Sequence, residues 1–332
     1  MRWPLSLTPV AQRSKPCATF LTPVAQRSKP YATLLSIITL ITLALVVPSA
    51  PGYAGKGMAL NAQIQNAVAG FHGTVGIFAK NLDSGASFGM RDTVPVGTAS
   101  TIKLAILAAT FQAVEEGKVK WTDLSTLHDA DRVKGSGVIG HEFSDGDRLP
   151  LVDLVHLMIV LSDNTATNLV LERVPPDYVN DYMDRLGFKQ TRSLKKVGAT
   201  FKDADISRAG HDPANKRFGL GSSTPREMVA LIEKMERGEI VSPDASKEMI
   251  RILKRQQDHN GIARRMGDLP VANKAGALDH LRSDVGIVYS KRGRIAIAIT
   301  CDDIPQVDWS SDNPGLLMIA KLSEILVAGM AN

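Results

Sequence analysis

Strand-like segments stand near both ends of this chain, and a long helical stretch separates them. Gly73–Lys80 (GTVGIFAK) reads as a strand, Asn81–Gly85 is turn-rich, and Ala86–Met90 follows as a hairpin partner. Strand-like runs return only at Leu269–Lys274, Asp284–Ser290 and Arg294–Cys301. Between them lie helical patterns at Ser100–Glu116, stopped by Gly117, at Leu151–Leu161, opened by Pro150, and at Asn164–Arg173, ended by Pro175-Pro176. Thr224-Pro225 and Ser242-Pro243 each start a further helix, with proline at the first helical position behind a hydroxyl cap. Met58–Phe71 and Pro314–Ala331 add a helix at either end. The simplest packing brings the early and late strands into one sheet around the helical insert. The expected fold is therefore α/β (α+β): an antiparallel five-stranded sheet flanked by terminal helices, plus an inserted all-helical lobe. The sheet lobe would span 55–93 and 259–332 and the helical lobe 94–258, with a cleft between them as a place for a site. Residues 188–222 lack periodicity and read as a long loop, which inside a compact domain is usually functional.

Charge is distributed unevenly. Residues 1–54 hold Arg2, Arg13, Lys15, Arg27 and Lys29, and no acid occurs before Asp83. Setting those five aside leaves 34 basic and 34 acidic residues, so bulk charge offers no support for nucleic-acid binding. The basic segment is followed by the apolar run Leu34–Val47 and by Gly52-Tyr53-Ala54, a small-x-small cleavage pattern, so 1–54 reads as an export leader. A 14-residue run spans only about 21 Å as a helix, short of a hydrocarbon core of about 30 Å; membrane anchoring by the leader is the lesser alternative. The leader also repeats LTPVAQRSKP at 7–16 and 21–30, read as a duplicated leader or a mis-called start rather than a repeat fold. The expected location is the periplasm or the extracellular space. Once Cys17 is removed with the leader, Cys301 is alone and can form no internal disulfide; it ends an apolar run and reads as a core residue.

Three short motifs carry chemistry. Ser100-Thr101-Ile102-Lys103 opens a helix, where residues three apart share a face and free N–H groups favour a developing oxyanion. Lys103 would have to lose its proton to act as a base, which burial or a second nearby cation can bring about. Ser162-Asp163-Asn164 follows an apolar helix: Ser162 can pass a proton and Asn164 can bind an amide. Lys274-Ala275-Gly276 ends a predicted strand, where Lys274 supplies positive potential, Gly276 allows close approach of a substrate backbone, and the N–H of Ala277 can be a second oxyanion donor. Each spacing has a second copy: Ser193-Leu194-Lys195-Lys196 in the long loop, Ser311-Asp312-Asn313 as a helix cap, and Lys291-Arg292-Gly293 in a hairpin. Alone, each motif therefore reads as structure rather than as a site.

The combination is more specific. S-x-x-K, S-D-N and K-x-G occur in this order, 62 and 112 residues apart, at a helix start, a helix end and a strand end. Together with Gly135–Ile139 (GSGVI), 158–171 (MIVLSDNTATNLVL), 223–228 (STPREM) and 274–289 (KAGALDHLRSDVGIVY), they make residues 58–330 resemble the class A β-lactamases of the penicillin-recognising superfamily. That resemblance implies Ser100 as nucleophile, Lys103 as base, Ser162 as proton relay, Asn164 and Lys274 as substrate binders, Ala275 and Gly276 along the binding strand, and the N–H groups of Ser100 and Ala277 as the oxyanion hole. It implies a small-molecule substrate, a β-lactam or a D-Ala-D-Ala-like peptide, with no cofactor and no metal; a monomer is expected.

Two departures bear on function. The third triplet has Ala275 where the family carries Thr or Ser, which removes one hydroxyl from the carboxylate site. The family also carries a loop glutamate that activates the deacylating water, and residues 188–222 contain none; Asp203, Asp205 and Asp212 are the only acids there. Acylation of Ser100 followed by slow hydrolysis is the resulting expectation. A D-Ala-D-Ala peptidase or esterase, and a non-catalytic β-lactam sensor, are the rivals. The seven histidines are scattered without paired ligand spacing, and no glycine-rich phosphate loop is present.

Overall fold

The computed structural model describes residues 51–199 and 205–331, with side chains from Met58 onward. The leader's apolar run, its tandem repeat and Asp203 lie outside the described residues. Helix α1 (Pro51–Val68) already includes Gly52–Ala54, so cleavage there would trim its first turn.

Five strands form one antiparallel sheet: β1 (Thr74–Asn81), β2 (Ser87–Met90), β3 (Val271–Leu278), β4 (Leu281–Ser290) and β5 (Gly293–Asp302), in the spatial order β2-β1-β5-β4-β3. Early and late chain meet at the β1–β5 pair, in register from Thr74↔Asp302 to Asn81↔Ile295. Side-chain alternation on β5 explains how its apolar run is used. Ile295, Ile297, Ile299 and Cys301 face α1 and the last helix, α8 (Pro314–Met330). Ala296 and Ala298 face the helical insert. Large residues thus fill one interface while small ones let a helix approach the other. Cys301 is fully buried, and burial pushes its thiol well above the usual range.

The insert holds α2 (Lys103–Glu115), α3 (Leu151–Val160), α4 (Asn164–Arg173), α5 (Pro176–Arg185), α6 (Pro225–Glu236) and α7 (Pro243–Leu253). The caps read from sequence are made: Thr224 Oγ1 accepts from Glu227 N at 3.1 Å and Ser242 Oγ from Ala245 N at 3.2 Å. Asn313, in the second copy of the S-D-N pattern, caps α8 through Gly315 N at 2.8 Å.

Three expectations need correction. Ser100 does not open an α-helix: it lies in a 3₁₀ turn, Ala99–Ile102, and α2 starts at Lys103. Lys274 is not at a strand end: β3 continues to Leu278, because Ala275–Leu278 are paired with Leu281–Asp284 despite their weak strand propensity. The segment 188–222 is not featureless. Gly221–Ser223 pairs with Val96–Gly97 on one side and Arg192–Ser193 on the other in a small antiparallel sheet, and single turns lie at Arg208–His211 and Pro213–Phe218. Pieces of two or three residues have no period to read.

Candidate active site

Ser100 is presented by a strained turn. Ala99 has φ +47°, and Thr101 returns its N–H and its hydroxyl to Thr98 O, at 3.1 and 2.8 Å. In a 3₁₀ turn residues i and i+3 eclipse, so Ser100 and Lys103 rise on one side. Lys103 is followed by Leu104–Thr110, all buried, and is itself fully buried. Its Nζ has three partners: Ser162 O at 2.7 Å, Ser162 Oγ at 3.2 Å and Asn164 Oδ1 at 3.1 Å. Ser100, which shares its face, is not among them. An ammonium has three N–H groups to place, and the S-D-N segment offers three oxygens.

The S-D-N turn is equally constrained. Ser162 has φ +55°, in the left-handed region, and Asp163 caps α4. The buried Asp163 carboxylate accepts from Ala166 N at 2.8 Å, Val138 N at 2.7 Å and Ile139 N at 2.9 Å. It thereby ties the 135–139 segment to the site, and Gly137 (φ +116°) leaves the room: a Cβ there would fall 2.3 Å from the carboxylate. Asn164 Nδ2 donates to Lys134 O at 3.1 Å, which turns Oδ1 toward Lys103. The motif chemistry assigns no role to Asp163. Its position ahead of a helix is the sequence signal for this cap, since Asp is a strong N-cap residue.

Lys274 enters from β3. It is fully buried, and its Nζ donates to Ser162 Oγ at 3.0 Å and to Ala275 O at 2.6 Å. Two residues on, Gly276 brings the strand against the nucleophile's turn: a Cβ there would meet Thr98 O at 2.7 Å and Ser100 N at 2.8 Å. Only glycine permits that approach, and Ala277 is the next residue along the strand. Ala275 is buried and Ala277 half-buried.

The electrostatics follow from this geometry. Burial, and next the Lys274 ammonium, hold the Lys103 amine well below the usual lysine range, against the pull of Asp163. Burial brings Lys274 down to about 8. Ser162 Oγ receives an N–H from each lysine. A hydroxyl has two acceptor lone pairs and one donor, so its own O–H is left to point elsewhere. A deprotonated Lys103 has a lone pair and a Ser100 hydroxyl within its turn. The arrangement can therefore take a proton at one end and give one at the other.

The long loop is pinned beside this site. Asn168 lies one turn after Asn164 on α4; its Nδ2 donates to Val197 O at 3.0 Å and its Oδ1 accepts from Val197 N at 2.8 Å. The two described acids of the loop are otherwise engaged: Asp205 pairs with Lys196 at 2.8 Å and Asp212 caps Ala214 N at 2.9 Å. Ser193, in the second S-x-x-K copy, is buried with its hydroxyl unpartnered.

Comparison with known proteins places the family and the fold. A family model described as the β-lactamase enzyme family matches residues 59–330. Among characterised proteins, β-lactamase SME-1 of Serratia marcescens is 24% identical over 205 residues, covering 61% of this chain and 65% of SME-1. The match thus spans slightly less than two thirds of that relative's length. Among solved structures, a β-lactamase from Sphaerobacter thermophilus superposes with TM-score 0.70 at 27% identity, covering 82% of this chain and 97% of that one. A mutant of PBP-A, solved as an acyl-enzyme complex with penicillin-G, superposes with TM-score 0.70 at 25% identity, covering 82% and 96%.

Proposed function

Because the chain belongs to the β-lactamase enzyme family, we propose that it is a serine acyl-transfer enzyme in which β-lactams acylate Ser100 quickly and leave it slowly. The observation that carries this reading is the convergence of two buried lysines on one hydroxyl, Lys103 at 3.2 Å and Lys274 at 3.0 Å from Ser162 Oγ. Neutral Lys103 takes the proton of Ser100 as its oxygen attacks the lactam carbonyl. The N–H groups of Ser100 and Ala277 receive the developing oxyanion. Ser162 gives its proton to the departing ring nitrogen and is resupplied through the lysines. Lys274 attracts the substrate carboxylate, and Asn164 both orients Lys103 and offers an amide to the substrate side chain.

Deacylation needs a second base for water. Residues 188–222 contain no glutamate, and the described aspartates there are occupied by Lys196 and by a backbone cap. Steady-state hydrolysis of a penicillin should therefore show a burst of one equivalent per enzyme followed by slow turnover. Turnover without a burst at a rate typical of an efficient hydrolase would refute the slow step.

That same missing carboxylate favours a second reading, a D-Ala-D-Ala peptidase or esterase using the same serine. A D-Ala-D-Ala peptide assayed beside a penicillin separates the two: release of D-alanine at a higher kcat/KM than lactam hydrolysis selects the peptidase. We place the mature enzyme at residues 55–332, exported by its leader and acting as a monomer on a small-molecule substrate. Finding residue 55 at the N-terminus of the exported protein tests the first point, and its sedimentation mass tests the second.

A further inference from the structure

The turn that follows the oxyanion strand is braced from outside, and a buried arginine is the centre of the brace. Leu278 and Leu281 are the last paired residues of the β3–β4 hairpin, so Asp279-His280 forms a two-residue turn. Neither residue has a positive φ. Two-residue hairpins follow strand twist when their central residues are left-handed, whereas turns built from right-handed residues splay the strands. This turn opens one residue after Ala277, so splaying would swing the Ala277 N–H away from the Ser100 turn.

The structure opposes that tendency at several points. Arg282, opposite Ala277 in the ladder and only 2% exposed, donates to Leu278 O, to Leu281 O at 2.7 Å and to Asp308 O. Two of these carbonyls belong to the hairpin and the third to the loop between β5 and α8. The same loop holds His280: Ile304 N donates to His280 O at 3.0 Å, and His280 Nδ1 donates to Ile304 O at 2.7 Å. Trp309 lies over the guanidinium at 4.8 Å and is 63% exposed. Among the described residues no carboxylate pairs with Arg282. A buried guanidinium spent on three backbone carbonyls fixes backbone, and its planar fork is suited to that in a way an ammonium is not.

We propose that Arg282 is a positioning residue for the acyl-transfer reaction: it clamps the hairpin turn to the β5–α8 loop and so fixes the Ala277 N–H toward the oxyanion. This rests on the serine acyl-transfer reading above. The test uses the full-length protein, a penicillin, and two readouts: the acylation rate, and the infrared stretch of the acyl-enzyme carbonyl, which falls in wavenumber as its hydrogen bonds strengthen. In Arg282→Ala, acylation should slow by about 10- to 100-fold, part of the loss expected for a missing oxyanion donor, and the carbonyl band should move up. Arg282→Lys should restore some of the rate and not the whole band position. Trp309→Ala, at an exposed ring outside the ladder, should fold normally and show a smaller shift in the same direction. Wild-type rate and band position in Arg282→Ala overturn the proposal; if that variant does not fold, an unmoved band in both Arg282→Lys and Trp309→Ala does so. Absence of any adduct on the wild-type protein would instead refute the serine reading, and this inference with it.

Discussion

Replacing Gly276 by alanine tests the closeness of the oxyanion strand to the nucleophile. The added Cβ would lie 2.7 Å from Thr98 O, 2.8 Å from Ser100 N and 3.0 Å from Thr101 N. Ordinary contact begins near 3.4 Å, so the strand and the turn must separate by about 0.4–0.7 Å. All three obstacles are backbone atoms, and none can rotate away. The stability cost of such overpacking is about 1–3 kcal/mol. The kinetic cost is larger in relative terms, because a misplacement of about 1 Å in a reacting site can cost about 100-fold. Acylation of Gly276→Ala by a fluorescent penicillin, followed by stopped flow, should therefore be slowed at least about tenfold while the melting temperature falls by only several degrees. An alanine variant that acylates at the wild-type rate would show that β3 does not contribute to the oxyanion site.

Other perturbations follow from the same contacts. Asp163→Asn leaves one acceptor oxygen for three N–H donors, and with charge-assisted bonds worth about 1.5–3 kcal/mol each it should lower stability by about 3–5 kcal/mol in chemical denaturation. Because Asp163 favours protonated Lys103, the acid limb of the acylation–pH profile should move to lower pH in any folded Asp163→Asn protein; an unmoved limb would argue against Lys103 as the base. Lys274, brought down to about 8 from an ordinary lysine value of 10.5, links pH to activity and stability with opposite signs. Above pH 8 it loses its charge and acylation should fall, whereas between about pH 8 and 10.5 the unfolded chain binds the extra proton, so this residue's contribution to stability should rise with pH. Lys274→Met should abolish both trends. Val197→Glu puts a carboxylate on the loop residue that Asn168 pins one helical turn from Asn164, and it should shorten the penicillin adduct lifetime by about tenfold or more, as read by recovery of activity.

How far the sequence could be read depended on what holds each feature in place. The helices and most strands are set by local pattern: α4 begins and ends at Asn164 and Arg173, as the cap and the following prolines indicate, and α8 starts at Pro314 behind Asn313. Ser100, Lys103, Ser162, Asn164 and Lys274 stand out as a candidate set because three motifs in fixed order are rarer than any one of them, and the structure joins the last four by hydrogen bonds. What local pattern does not encode is backbone held by distant partners. The 3₁₀ turn under Ser100 depends on the left-handed Ala99 and on Gly276 from another strand. Ala275–Leu278 stays in the sheet through its pairing with β4. The Lys103 amine turns to Ser162 and Asn164 rather than to Ser100, because Asp163 and the 134–139 segment fix those oxygens around it. The arginine brace on the hairpin joins residues 278 and 308, which no spacing rule connects.

Peptide mapping of the penicillin-treated protein goes to the centre of the account. A single adduct should form on the peptide that contains Ser100, grow in with the burst, and be absent from Ser100→Ala. An adduct on another serine, such as buried Ser193, or one that survives in Ser100→Ala, would mean that the two lysines at Ser162 do not serve the hydroxyl at position 100.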